Sequence, residues 1–202
     1  MTSNNPIITS AALDYAHHHK NDFLAELFEL LQIPSVSTDP EYGKEIENAA
    51  VWLVSKLKAK GFNNVTKFTT SGHPIVFAEK ISLVPDAPTL LIYGHYDVQP
   101  ADPYSLWDTL PFDPTVKGEY LFARGASDMK GQIIVALAAF ESLLSQGQFP
   151  INIKWILEGE EEIGSPSMDT FLEEHTDLLS CDISLNLDCG MIACDSPTIT
   201  YA

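Results

Sequence analysis

The sequence predicts a three-layer α/β/α sandwich built on a mixed, mostly parallel β-sheet. Helical patterns alternate with short apolar runs in the order helix, helix, strands, helix, strand, helix, strand. This alternation is typical of α/β domains, in which helices cover both faces of a sheet. The chain of 202 residues is long enough for one domain with a substantial core, and 45% of its residues are hydrophobic. We therefore treat 1–202 as one domain that opens with a polar segment, 1–20.

The first half of the chain predicts two helices followed by three strands. The first helix begins near Asn21 or Asp22, either of which is a favourable N-cap residue. The second covers about 43–60 and ends at Gly61, because glycine is the preferred residue just after a helix. Apolar residues recur on one face of each helix at spacings of three and four. The predicted strands lie near 64–69, 74–80 and 89–93.

The second half predicts two more helices and two strands. A segment rich in proline, aspartate and aromatic residues, 98–118, is predicted to be an ordered loop, followed by a short strand at 120–123. The longest apolar helix covers about 130–145, and the next helix covers 166–175. Ser165 is the expected cap of that last helix, with proline at its first position. Strands are expected at 151–157 and 183–187, and a new one at 198–202.

The composition excludes several classes of partner. With 11 basic and 28 acidic residues, the formal net charge is −17. Such a chain lacks the basic surface that binding to nucleic acid or to an anionic membrane requires. No stretch of 18 apolar residues is present, which predicts no membrane span. The three cysteines have neither zinc-ribbon nor redox spacing, so we expect reduced thiols in a cytoplasmic protein.

A histidine and several acids follow the apolar runs. His95 and Asp97 come directly after the 89–93 strand and lie two residues apart, so both side chains point the same way. His95 can bind a metal ion while Asp97 holds its ring. The alternative is a loop histidine beside a turn-forming aspartate. Similarly, Asp128 can bridge two cations or simply cap the helix that follows it.

Further acids mark the next two strand ends. Glu160, Glu161 and Glu162 follow the 151–157 strand, and Asp188 follows the 183–187 strand. Adjacent acids point in different directions, so one acid of the triplet can be a metal ligand and another a general base. The alternatives are an acidic surface loop for the triplet and a turn residue for Asp188. Because parallel strands bring their carboxyl ends to one edge, we expect His95 and these acids to converge around divalent metal there.

The motifs that contain these residues resemble those of the M20 metallopeptidases. They are the segments 94–100 (GHYDVQP), 123–131 (ARGASDMKG) and 158–165 (EGEEEIGS). This family contains carnosinase-like dipeptidases, aminoacylases, acetylornithine deacetylases and succinyl-diaminopimelate desuccinylases. The sequence of the first motif is most similar to that of the dipeptidase branch. The resemblance extends over about 20–202 and implies the zinc-peptidase fold.

The resemblance also implies a role for each site residue. His95 matches a ligand of one metal, Asp97 the residue that orients it, and Asp128 the bridging carboxylate. Glu161 matches the general base, because the family pattern Glu-Glu-x-Gly-Ser fixes the register. Glu162 matches a ligand of the other metal, and Asp188 matches the next ligand along the chain. Met129 departs from the aspartate or asparagine that often follows the bridging residue, where the family usually has a cis peptide.

The implied activity is hydrolysis of an amide bond in dipeptides or related N-acyl amino acids. Two Zn²⁺ ions, for which Mn²⁺ or Co²⁺ can substitute, would activate water with Glu161 as base. The family's lid domain and its late histidine ligand have no counterpart here. We therefore expect the N-terminal portion of a catalytic domain, weakly active or inactive alone, from an enzyme that forms homodimers. The alternatives are a deacylase, desuccinylase or carboxypeptidase of the same fold, and a metal-free binding module.

Overall fold

The computed structural model describes residues 6–147, 150–193, 196 and 198. This part of the chain contains six α-helices and seven strands, besides three short 3-10 helices. The helices are α1 (Pro6–His18), α2 (Lys20–Leu31), α3 (Gly43–Ala59), α4 (Lys130–Leu144), α5 (Met168–Glu174) and α6 (Thr176–Leu179). The strands are β1 (Asn64–Phe68), β2 (Ile75–Lys80), β3 (Thr89–His95), β4 (Thr115–Lys117), β5 (Tyr120–Phe122), β6 (Asn152–Glu158) and β7 (Ile183–Asn186).

A five-stranded sheet forms the middle layer, in the order β1-β2-β6-β3-β7. Strands β6, β3 and β7 are parallel neighbours, whereas β2 is antiparallel to both β1 and β6. Four of the five strands therefore point in the same direction, and the predicted mixed, mostly parallel sheet is confirmed. Strands β4 and β5 form a separate hairpin; β5 is the short strand predicted at 120–123, whereas β4 lies in the segment 98–118 that the sequence predicts to be a loop.

The two faces of the sheet are covered by different helices. The larger core lies between one face and the helices α2, α3 and α4, with Trp155 of β6 at its centre. The rings of Phe62 and Phe140 pack against Trp155 with centroid distances of 6.3 and 5.7 Å. On the opposite face, Phe77 and Ile156 pack against Phe171 of α5 and against α6. The three-layer arrangement expected from the sequence is thus present.

The register of the sheet brings one set of strand ends together. His95, the last residue of β3, lies opposite Glu158, the last residue of β6. On the other side of β3, Tyr93 lies opposite Asn186, the last residue of β7. Since these three strands are parallel, the segments that follow them leave the sheet at the same edge, where an open α/β sheet binds ligands.

Three details of the sequence prediction are wrong. Helix α1 lies in the polar segment 1–20, for which the sequence predicts no helix, and the first predicted helix is α2. Neither Asn21 nor Asp22 caps α2; the N-cap is His19, which makes no side-chain capping bond and whose ring instead contacts the Asp22 carboxylate at 2.8 Å. Helix α5 begins at Met168 and not after Ser165, because Ser165 has a φ of 51°, which is incompatible with a helix N-terminus. The strand predicted over 198–202 falls largely outside the described residues.

The other predicted elements agree with the structure. Helix α3 buries Ile46, Leu53 and Leu57, and Gly61 beyond its end has the positive φ of 83° that glycine adopts without strain. No helix in the described residues has both the length and the apolar character needed to cross a membrane. Cys181 and Cys189 are exposed free thiols.

Candidate metal centre

His95 lies at the centre of the candidate site, with its side chain fully buried. Its Nδ1 atom faces the backbone carbonyl of Asp97 at 3.1 Å and the carboxylate of Asp97 at 3.3 Å. Two acceptors at Nδ1 favour the proton on that nitrogen, and the lone pair then belongs to Nε2. The Nε2 atom is therefore the one available to bind a metal ion.

Three acids from distant parts of the chain face that nitrogen. The distances from His95 Nε2 are 3.1 Å to Asp128 Oδ1, 3.8 Å to Asp188 Oδ2 and 3.9 Å to Glu161 Oε2. Asp128 lies two residues before the start of α4, and the peptide bond between it and Met129 is cis, as the resemblance implies. Asp188 follows β7 and is held by a hydrogen bond from its backbone N–H to Asn186 Oδ1 at 2.8 Å.

The donor set fits a divalent cation. One ligand atom each from His95, Asp128 and Asp188 lie within 4.8 Å of one another. Two ligands of one Zn²⁺ ion can be at most about 4.4 Å apart, since each bond is about 2.0–2.2 Å long. Both distances from His95 Nε2 to these aspartates fall below that limit. An imidazole nitrogen with carboxylate oxygens is a typical ligand set of zinc and of similar first-row ions.

Asp97 joins the histidine to the acidic turn. It is fully buried, and its two carboxylate oxygens accept hydrogen bonds from the backbone N–H groups of Glu161 at 3.2 Å and Glu162 at 3.1 Å. The same carboxylate faces His95 Nδ1. A single buried side chain thus fixes both the ring and the turn that carries two of the predicted functional acids.

The first residue of the acid triplet has a structural role. The carboxylate of Glu160 is buried and accepts hydrogen bonds from the backbone N–H groups of His73 at 2.9 Å and Ser167 at 3.1 Å. It therefore ties the β1–β2 connection to the start of α5. Gly72 makes this possible, because a Cβ atom there would lie only 1.7 Å from Glu160 Oε1.

The other two acids of the triplet point to different places. Glu161 faces His95, as a base beside the metal would. The side chain of Glu162 instead accepts a hydrogen bond from Gln99 Nε2 at 2.8 Å, and Glu162 is not part of the three-residue group around His95. The structure thus brings together His95, Asp128, Asp188 and Glu161 directly, and connects Glu162 to them through Asp97.

The crowding of acids changes the titration of the site. Burial alone would lower the pKa of His95, but the hydrogen bond and charge of Asp97 and the charges of Glu161 and Asp128 outweigh it and raise the pKa to about 9. Burial also raises the pKa of Glu161; the charge of His95 opposes this, and the charges of Glu162, Asp188 and Asp97 add to it. Without a cation, the site therefore retains a proton, as converging carboxylates require.

Sequence reasoning missed a buried hydrogen-bonded group beneath the site. Glu158 Oε1 accepts hydrogen bonds from the hydroxyl groups of Tyr93 at 2.6 Å and Ser165 at 2.9 Å. Burial is the main cause of the raised pKa of Glu158. The position of Glu158 at the end of β6 was visible in the sequence, but its partners lie 65 and 7 residues away and carry no shared pattern.

Lys130 is the second residue that the sequence did not single out. Its side chain is completely buried, and Nζ donates hydrogen bonds to the backbone carbonyls of Leu30 at 3.1 Å and Ile33 at 2.6 Å. Lys130 thus binds the end of α2 to the segment that begins with Asp128. Complete burial lowers its pKa to about 7, against the opposing charge of Asp97.

The fold and the donor set together define an α/β domain with a candidate divalent-metal centre at the carboxyl edge of its sheet. Comparison with known proteins identifies the family. Residues 91–198 match Peptidase family M20/M25/M40, and the chain belongs to that family. Membership implies a divalent metal, which is consistent with the group formed by His95, Asp128 and Asp188.

Curated relatives are similar over nearly the whole chain. A cysteinylglycine-S-conjugate dipeptidase from Corynebacterium striatum is 31% identical over 199 residues, which cover 98% of this chain and 43% of that protein. The Cys-Gly metallodipeptidase dug1 of Schizosaccharomyces pombe is 33% identical over 90% of this chain and 41% of its own length. The chain therefore spans less than half of the length of these relatives.

Solved structures show the same fold. Human carnosine dipeptidase 1 superposes with a TM-score of 0.82 at 30% identity, covering 91% of this chain and 42% of that one. An M20 family metallo-carboxypeptidase from Sulfolobus solfataricus, Sso-CP2, gives a TM-score of 0.78 at 38% identity over 84% of this chain and 38% of its own. The three-layer α/β fold is thereby confirmed.

Proposed function

We propose that the protein is a metal-dependent hydrolase that cleaves the amide bond of dipeptides, and that 1–202 form part of its catalytic domain. The observation that carries this proposal is the convergence of His95, Asp128 and Asp188, with Glu161 beside them. The names of the relatives support the substrate class, since a cysteinylglycine-S-conjugate dipeptidase and a Cys-Gly metallodipeptidase are both similar to this chain.

The metal ligands follow from the geometry and the resemblance together. His95 Nε2, Asp128 and Asp188 would hold one cation, and Asp128 and Glu162 would contribute to a second. When bound, such ions polarise the substrate carbonyl and lower the pKa of water, which makes hydroxide available near neutral pH. Asp97 holds the His95 ring so that Nε2 faces the site.

Glu161 is proposed as the general base. Its carboxylate accepts a proton from the attacking water and passes it to the leaving amide nitrogen, so no covalent intermediate with the protein forms. The raised pKa of Glu161 suits this role, because it makes the carboxylate a stronger base than a free glutamate. Its carboxylate lies 3.9 Å from His95 Nε2, but Glu161 is not in the group of His95, Asp128 and Asp188 whose ligand atoms all lie within 4.8 Å of one another.

Replacing Glu161 tests this assignment. In the active protein, Glu161→Gln keeps the shape of the side chain but removes the base, so turnover falls by more than 100-fold while metal content is unchanged. Glu173→Gln, an exposed acid on α5, is the matched control and keeps full activity. A Glu161→Gln enzyme within tenfold of wild type, about 1.4 kcal/mol of barrier, would show that another group is the base.

A second candidate function is supported by one comparison. The M20 metallo-carboxypeptidase Sso-CP2 has the higher sequence identity of the two solved structures described above. A panel of dipeptides, longer peptides with free carboxyl termini and N-acyl amino acids separates dipeptidase, carboxypeptidase and deacylase activity.

If the protein were instead a metal-free binding module, metal analysis after zinc loading would find well under one zinc ion per chain. Zinc as the physiological ion and a cytoplasmic location stay predictions.

A further inference from the structure

Gln99 makes two hydrogen bonds to one residue of the acidic turn. Its Nε2 atom lies 2.8 Å from Glu162 Oε2 and 3.2 Å from the backbone carbonyl of Glu162. The backbone N–H of Glu162 is held in turn by Asp97 at 3.1 Å. Glu162 is therefore fixed at its amide, its carbonyl and its carboxylate by two residues of a single segment.

The spacing of that segment explains how one stretch of chain reaches both parts of the site. His95, Asp97 and Gln99 are two residues apart; His95 ends β3, and Val98 forms a parallel bridge with Val36. Side chains two apart in an extended chain point to the same side. The intervening residues Tyr96 and Val98 are fully buried.

The hydrogen bond has a chemical consequence for Glu162. A carboxylate has two oxygens, and each can accept hydrogen bonds or bind a cation. The amide of Gln99 engages Oε2 and, through its second contact at the backbone, sets the rotation of the whole side chain. Because Gln99 engages Oε2, Oε1 is the oxygen of Glu162 that would bind a cation.

We propose that Gln99 is a positioning residue for the second cation, acting through Glu162. This inference rests on the proposed function, because it requires Glu162 to be a metal ligand. In the part of the chain that the structure describes, Gln99 makes no hydrogen bond to His95, Asp128 or Asp188, so we expect its effect to be confined to the second ion. Groups that orient a metal ligand typically change affinity by about 10–100-fold.

Two substitutions of Gln99 separate the hydrogen bond from side-chain volume. Gln99→Met keeps the length of the side chain without the amide, and Gln99→Ala removes both. Gln99 is exposed, so neither change disturbs the core. Gln146→Met is the matched control, since Gln146 is an exposed glutamine just beyond the far end of α4, whose 15 residues span about 22 Å.

The readout is Zn²⁺ binding to the metal-free form of the complete protein that contains 1–202, measured by calorimetric titration together with equilibrium dialysis. We expect two equivalents in the wild type, with the second binding about tenfold more weakly in Gln99→Met and Gln99→Ala and the first changed less than twofold. The control should match wild type. Glu162→Gln is the control for nonspecific binding and must abolish the second equivalent. Zinc ions adsorbed on the exposed residues His17 and His18 would not be affected by that substitution.

Each other outcome counts against the inference. If Glu162→Gln removes the second equivalent but both Gln99 variants bind like wild type, Gln99 does not position Glu162 and the proposed function stands. If Glu162→Gln has no effect, or the wild type takes up only one ion, Glu162 is not a ligand and the inference falls with that part of the proposed function. An equal loss of both equivalents in Gln99→Met would show a general effect on the site.

Discussion

Asp97 offers the sharpest test of how the site is organised, through the substitution Asp97→Asn. The asparagine has the same shape but only one carbonyl oxygen in place of two carboxylate oxygens. In the native protein those two oxygens accept the backbone N–H groups of Glu161 and Glu162, and one of them faces His95 Nδ1. One of these donors must therefore face an amide N–H in the variant, and a favourable contact becomes a repulsive one.

The magnitude follows from these contacts. A hydrogen bond to a charged group contributes about 1.5–3 kcal/mol, so losing one of them loosens the acidic turn by a similar amount. The ring of His95 keeps the backbone carbonyl of Asp97 as an acceptor at 3.1 Å, so its tautomer preference is weakened and not lost. We expect the affinity for Zn²⁺ at the His95 site to fall about 10–100-fold, which corresponds to about 1.4–2.7 kcal/mol.

Chelator competition against the metal-free chain measures this change. Asp39→Asn is a suitable control, because the Asp39 carboxylate also accepts a backbone N–H, that of Glu41 at 2.9 Å, but in an exposed turn. The control should bind Zn²⁺ like wild type. If Asp97→Asn binds within threefold of wild type while His95→Asn loses binding, the proposed role of Asp97 in orienting the ring is refuted.

Two further predictions concern stability. The folded pKa of His95, about 9, lies above its unfolded value of 6.5. The stability that His95 contributes is therefore fully present below pH 6.5 and is lost as the pH rises to 9. In denaturant unfolding of the metal-free protein, the stability advantage of wild type over His95→Asn should shrink by about 3 kcal/mol across that window, and a constant difference would contradict the raised pKa. Gly72→Ala should destabilise by about 2 kcal/mol, because its Cβ displaces the hydrogen-bonded carboxylate of Glu160. Gly43→Ala, with nothing within 4 Å of the new Cβ, should be near neutral, and equal effects of the two changes would contradict this explanation.

The sequence predicts the fold and the converging ligands well, for a simple physical reason. Apolar periodicity defines the strands, and parallel strands necessarily bring their ends to one edge. His95, Asp128 and Asp188 each follow or precede a clear element, so their meeting is a consequence of topology. The start of α5 was misplaced because Ser165 is a good helix cap by type, whereas in the structure its hydroxyl group donates to Glu158.

The role of each acid in the triplet could not be predicted from the residues alone. Glu160, Glu161 and Glu162 are identical side chains, and only their surroundings distinguish the anchor Glu160 from the proposed base and the proposed ligand. The anchor role of Glu160 depends on His73, which is 87 residues away. The contact between Glu162 and Gln99 is likewise set by how the strand ends meet. Such pairings arise from tertiary packing and leave no local pattern.

The most direct measurement of the central claim is a crystal structure of Zn²⁺-loaded protein with anomalous diffraction at the zinc edge. The account predicts an anomalous peak about 2.0–2.2 Å from His95 Nε2 and from one carboxylate oxygen each of Asp128 and Asp188. Glu161 should lie beside the ion without binding it. A peak elsewhere, or none at this edge of the sheet under saturating zinc, would contradict the account.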